Sequence, residues 1–134
     1  MGVTNRRWTG LLDRRLRKLG LTGSRWYALV ELSKTADKPS QRELAARLGI
    51  EAATLVRILD GLAKDGLVNR LAHDTDRRTN QVEITSAGQK TLAEISEISA
   101  KLRQELLVGI DDADLAVCLS VFQRIHANLA GKVT

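Results

Sequence analysis

The stretch Gln41-Arg42-Glu43-Leu44-Ala45-Ala46-Arg47-Leu48-Gly49-Ile50-Glu51-Ala52-Ala53-Thr54-Leu55-Val56-Arg57-Ile58-Leu59 decides the fold. Ser40 precedes it, and Ser40-Gln41-Arg42-Glu43 is a capping box: the Ser40 hydroxyl accepts from the Glu43 amide while the Glu43 carboxylate reaches back. The spacing predicts a short helix to Leu48, stopped by Gly49, then a second helix from about Glu51 to Lys64. Leu55, Ile58, Leu59 and Leu62 form its inward stripe, and Gly66 ends it. Two helices crossing closely over a tight turn need a small residue in the first, a residue tolerant of positive φ in the turn, and apolar residues where they touch. Ala45 and Gly49 meet the first two needs. Leu44, Leu48, Ile50, Leu55 and Ile58 meet the third. A generic helical hairpin would share the apolar period without needing all seven positions together, so the pattern reads as a helix-turn-helix.

Upstream, Trp8, Leu11, Leu12, Leu16 and Leu19 fall on one face of a helix over residues 5–19, which Gly20 stops. Thr22 or Ser24 can cap a helix over residues 25–34, with Trp26, Leu29, Val30 and Leu32 facing inward. Ala36-Asp37-Lys38-Pro39 is a turn. Downstream the period changes. Residues 67–71 and 81–85 read as the two strands of a hairpin, with His73 to Asn80 as a long polar tip. Thr85 caps a long helix over residues 86–108, with Leu92, Ile95, Leu102 and Leu106 as its seam. Asp111 or Asp112 opens a last helix, to about Leu129, with Leu115, Leu119, Phe122 and Leu129 on its apolar side. The first and the last two helices are long for so small a chain, and an apolar stripe must be covered. A second copy is the expected cover, with Leu11 joining the C-terminal positions in the dimer interface.

The expected fold class is therefore mainly α with a small β-hairpin wing. A winged helix-turn-helix lobe over residues 21–85 lies between an N-terminal dimerisation helix (1–20) and C-terminal dimerisation helices (86–134), as one structural unit.

The 134 residues are 43% hydrophobic and 28% charged, the balance of a folded globular chain. Aromatics at 3% leave the core to Leu, Ile, Val and Ala, and a single proline suits a helical protein. The one cysteine, Cys118, excludes an internal disulfide, and with His73 and His126 far apart no metal-ligand spacing exists. Cys118 is read as a small packing residue. No apolar leader or membrane-length stretch is visible, so the expected location is the cytoplasm. No cofactor is expected. Nor is an enzyme, because there is no Ser/His/Asp set, apolar carboxylate pair or Gly-rich phosphate loop. Net charge is +5, and its distribution matters. Residues 1–20 hold six basic groups against one acidic, residues 21–82 ten against eight, and residues 83–134 five against seven. A positive field on the first part of the chain favours an anionic partner.

The second helix of the motif carries small residues near its start (Ala52, Ala53 and Thr54) and Arg57 one turn on. Small residues let a helix end enter a major groove closely, and Arg57 can donate two hydrogen bonds to guanine, or one to a phosphate. Ser40, Gln41 and nearby helix-start amides can hold phosphates. Asp76-Arg77-Arg78 on the hairpin suits insertion of two guanidiniums into a narrow minor groove, with Asp76 orienting one of them. Duplex DNA is thus the expected partner. A regulator reading an inverted repeat and an architectural binder of A·T-rich DNA both fit these residues.

The order of elements, with Gln41-Arg42-Glu43-Leu44-Ala45, Leu55-Val56-Arg57-Ile58-Leu59, Asp65-Gly66-Leu67-Val68 and Asp76-Arg77-Arg78 before Ile84-Thr85, resembles the MarR family of bacterial transcription regulators. Leu12-Asp13-Arg14-Arg15-Leu16, Gly49-Ile50-Glu51 and Gly109-Ile110 are similar to its SlyA branch. The resemblance implies a homodimer joined through its first and last helices, wing arginines in the minor groove (Arg77 and Arg78 here), and repression or activation of transcription. It also implies release by a small aromatic carboxylate, for which Arg6, Trp8 and Trp26 offer a cation and aromatic walls.

Overall fold

Six helices and one antiparallel hairpin follow one another in the order α1 (Gly2–Leu16), α2 (Ser24–Ser33), α3 (Gln41–Leu48), α4 (Ala52–Lys64), β1 (Val68–His73), β2 (Asp76–Ile84), α5 (Ser86–Leu106) and α6 (Asp112–Ala130). The coordinates are a computed structural model that describes residues 2–21, 23–34, 38–73 and 76–132, the side chains of residues 72–80 excepted. Thr22, one of the two expected caps, lies outside the described residues, as do Ala36 and Asp37 of the expected turn.

One half of the expected capping box forms: Ser40 Oγ accepts from the Glu43 amide at 3.1 Å. The Glu43 carboxylate lies 4.0 Å from Arg47, one turn on. α3 stops at Gly49, which adopts φ 66°. An L side chain is strained there, whereas glycine is not. The Gly49 amide bonds back to Ala46 O and the Ile50 amide to Ala45 O, satisfying carbonyls at the helix end. Leu44, Leu55, Leu59 and Leu62 are wholly buried, and Ala45 is buried where the helices cross. Each buried leucine contributes on the order of 1.5–3 kcal/mol against leaving it in water.

Three expectations are corrected. α1 ends at Leu16, and Arg17–Leu19 tighten into a 3-10 turn before Gly20. Ser24 does not cap α2: the cap position is Gly23, without a side-chain hydrogen bond, and Ser24 is already helical. Gly23 can take the φ of 50° found there. Third, the polar run 76–80, expected as a loop, is strand. Val68 pairs with Ile84, Leu71 with Gln81 and His73 with Asp76, with an irregularity between Leu71 and His73. Ladder bonds use backbone groups, so polar residues can extend the hairpin without apolar alternation. Arg77 and Arg78 accordingly sit in β2 rather than in a loop.

The base of the wing is tied twice. Val82 N donates to Pro39 O at 3.3 Å, beside an isolated bridge of Ser40 to Gln81 that joins β2 to the start of α3. On the other side Thr85 N donates to Leu67 O at 3.1 Å. Thr85 Oγ1 donates to Gly66 O at 2.6 Å and accepts from Gly88 N at 3.0 Å, which makes it the expected cap of α5.

The chain divides into two compact units, Met1–Lys101 and Leu102–Thr134. The first contains the helix-turn-helix, the wing and a shared core. The second contains α6, which has no buried residue.

Candidate nucleic-acid interface

α4 is amphipathic in the sense the sequence requires. Leu55, Ile58, Leu59 and Leu62 are buried, while Ala52, Ala53, Thr54, Val56 and Arg57 are exposed. The outward face is thus small for one turn and carries a cation on the next. Among the described residues no carboxylate pairs with Arg57. Val56 was not among the expected contact residues. It is 39% exposed beside Arg57 and offers an apolar surface of the kind that meets a thymine methyl. Its signal was present in the sequence, since a stripe at 55, 58, 59 and 62 turns position 56 outward.

Ser40 and Gln41 are half-buried at the start of α3, held against β2 by the Ser40–Gln81 bridge. The Ser40 oxygen receives the Glu43 amide, which leaves its O–H as a donor. The backbone of Asp76, Arg77 and Arg78 lies at the start of β2, with Asp76 opposite His73. The side chains of these three lie outside the described residues.

Two further arginines hold α4. Arg70, on β1, places Nη1 2.6 Å from Asp60 Oδ1 and donates from Nη2 to Val56 O at 2.9 Å. Arg25, on α2, lays its guanidinium over Gly61, where an added Cβ would lie 2.6 Å from Nη2, and its Nη1 is 3.6 Å from Asp65. Neither role is legible in composition, because a basic residue that grips protein counts the same as one that grips DNA.

The residues expected to hold a ligand are placed differently from one another. Arg6 lines a groove of about 510 Å³ along α1 with Val3, Arg7, Gly10, Leu11 and Arg14. Trp8 is half-buried on the same helix. Trp26 is a core residue, 8% exposed, whose indole N–H donates to the Asp13 carboxylate. Of the expected dimer residues, Leu11 and Leu115 are half-buried, while Leu119, Phe122 and Leu129 are exposed in the single chain. Cys118, expected to pack, is also exposed there, because α6 buries nothing within its own chain. Among the described residues no cluster of His, Cys, Asp and Glu could hold a metal ion, and no helix is long and apolar enough to cross a membrane.

Residues 19–79 match the MarR family model. The crystal structure of the transcriptional regulator PA3341 is similar over nearly the whole chain, with 45% identity and a TM-score of 0.85 across 97% of this chain and 95% of that one. The chain belongs to the MarR family. Its architecture is the MarR winged helix-turn-helix, and the family is one of DNA-binding transcriptional regulators rather than enzymes. The same fold appears in MarR from Staphylococcus aureus in complex with salicylate and kanamycin, at 20% identity and a TM-score of 0.89 over 99% of this chain and 89% of that one. It appears again in CouR from Rhodococcus jostii bound to p-coumaroyl-CoA, at 23% identity and 0.78 over 92% and 87%. In this MarR-family chain, α3 and α4 form the helix-turn-helix and the β1–β2 hairpin is the wing.

Proposed function

We propose that this MarR-family chain is a sequence-specific, SlyA-type regulator that binds an inverted-repeat operator as a homodimer in the cytoplasm. The observation that carries the reading is the outer face of α4: exposed Ala52, Ala53, Thr54 and Arg57 over a buried leucine stripe. Those small residues admit the helix to the major groove, and Arg57 reads or grips what it meets there. Ser40, Gln41 and the helix-start amides hold phosphates and set register. Arg77 and Arg78 reach the minor groove, oriented by Asp76.

Support for the dimer comes from α6. Val117, Leu119, Val121, Phe122, Ile125 and Leu129 are between 42% and 62% exposed, an apolar load that a free helix in water does not carry without a partner. Residues 1–20 and 86–134 supply the dimerisation helices and residues 21–85 the DNA-binding lobe. Two recognition helices then enter successive major grooves roughly 34–36 Å apart. A small aromatic carboxylate relieves binding, with Arg6, which lines the groove along α1, as its cation; Trp8 and Trp26, expected as its walls, do not line that groove. The ligand acts by favouring one spacing of the two lobes over another. The complexes of the S. aureus MarR with salicylate and of CouR with p-coumaroyl-CoA support this class of effector.

Selection of bound duplexes from a random pool tests the reading. The expected product is an inverted repeat with half-sites one helical turn apart, bound at least ~10³ times more tightly than random DNA. Recovery of A·T-rich sequences without a repeat would instead identify an architectural binder. On the selected operator, Arg57→Ala is expected to weaken binding by about 1–3 kcal/mol per half-site and to relax preference at one base position. Equal loss on operator and random DNA would make Arg57 a phosphate contact.

A further inference from the structure

We propose that Arg70 is a positioning residue that locks the wing to the recognition helix, so that major-groove and minor-groove contacts form as one unit. The proposal rests on the DNA-binding reading above and adds a coupling device to it.

The geometry is a fork. One guanidinium spans two acceptors on α4 a turn apart: Asp60 Oδ1 at 2.6 Å from Nη1 and the Val56 carbonyl at 2.9 Å from Nη2. Arg70 belongs to β1, paired with Val82 of β2, and β2 begins with the wing residues 76–78. Val56 immediately precedes Arg57, the cation on the groove-facing side of α4. The fork therefore joins the backbone of the recognition helix, next to its reading residue, to the strand that supports the wing. A backbone carbonyl cannot rotate away as a side chain can, so this contact fixes position rather than charge alone. A guanidinium is suited to the task because its donors are coplanar and rigid and sit on separate nitrogens, whereas a lysine has a single nitrogen on a flexible stem and fixes neither direction.

The residue's environment also favours this role over DNA contact. Arg70 has a side-chain exposure of 28%, and its Nε is buried with no hydrogen-bond partner among the described residues. A guanidinium placed to meet phosphates would keep its donors toward solvent. Here both Nη groups are engaged by acceptors on α4, and Nε is buried without an acceptor. Ion pairs this near the surface add little to stability. What the fork contributes is orientation.

Coupling is measured by a double-mutant cycle on binding. The probe is the duplex that the wild-type protein selects from a random pool. Arg70→Met, the pair Arg77→Ala with Arg78→Ala, and their combination are titrated against it, with thermal melts to monitor folding. Arg70→Met is expected to lower operator affinity by about ten-fold. In that background the penalty for losing the wing arginines should shrink by about five-fold or more, because the wing is no longer registered to α4. Arg70→Lys is expected to resemble Arg70→Met, since it keeps the charge and loses the fork. A merely structural role would move the melting temperature and leave the two binding penalties independent. If Arg70→Met fails to fold, Asp60→Ala carries the same cycle, because it removes one acceptor of the fork at an exposed side chain. Independent penalties, or full rescue by lysine, overturn the proposal. Wild-type binding by the wing variant itself would sink the wing reading and the lock together, whereas independent penalties with an effective wing sink the lock alone.

Discussion

Gly88→Ala is expected to lower the melting temperature by roughly 10 °C at matched protein concentration. Two effects oppose each other at this position. Alanine is favoured over glycine in a helix by up to about 1 kcal/mol, so a free helix would gain. Here a Cβ would lie 2.2 Å from the Leu67 carbonyl oxygen and 2.5 Å from Ile84 Cγ2. The carbonyl cannot retreat, because it already accepts the Thr85 amide at 3.1 Å in the same joint. Either the start of α5 moves off the wing base, which pulls apart the Thr85 cap, or the hairpin base opens. Overpacking of this severity costs about 2–4 kcal/mol and outweighs the helix propensity. A thermal melt by circular dichroism checks it. An unchanged or raised midpoint would mean that α5 does not approach the wing this closely.

The sign of that expectation could not have been read from the sequence. Ser86-Ala87-Gly88 looks like an ordinary first turn with a replaceable glycine, and the carbonyl above it comes from Leu67, far away along the chain. The features that were legible are those whose cause is local. Ser40 and Glu43 are three residues apart, so their hydrogen bond is a matter of spacing. Gly49 marks a backbone conformation that other residues avoid. Leu55, Ile58, Leu59 and Leu62 share one side of a helix by period alone. The wing was legible only at its apolar base. Beyond Leu71 the strands carry polar residues on both faces, and without alternation residues 76–80 resemble a loop. Arginines were the least legible of all. Arg57 is exposed on the groove face, Arg70 forks onto α4 and Arg25 lies over Gly61. One residue type thus stands in three settings, open to solvent, forked onto a helix and laid over a glycine, and only position separates them. The apolar side of α6 was visible in its sequence, but what covers it is not written there, because nothing within the single chain buries that side.

Replacing both Arg77 and Arg78 with alanine is expected to produce the largest loss of DNA affinity, and the loss should depend on salt. The two positions sit at the start of β2, opposite the end of β1, where a hairpin reaches furthest from the lobe that supports it. If each guanidinium neutralises one phosphate equivalent, the log–log dependence of affinity on salt becomes shallower by roughly 2 per wing, hence roughly 4 for paired wings. Four released counterions are worth about a thousand-fold in affinity near 0.15 M salt, and the advantage falls toward nothing as salt approaches 1 M. Loss of a base contact from Arg57→Ala behaves otherwise: its penalty comes from hydrogen bonds to one base and persists as salt rises. Titrations of the selected duplex across a salt series separate the two. Converging lines for the wing variant and wild type are the expected result, steepest on duplexes whose flanks are A·T-rich and narrow in the minor groove. Parallel lines, offset by a constant factor, would mean that the wing acts through the shape of the lobe and not through charge in the groove.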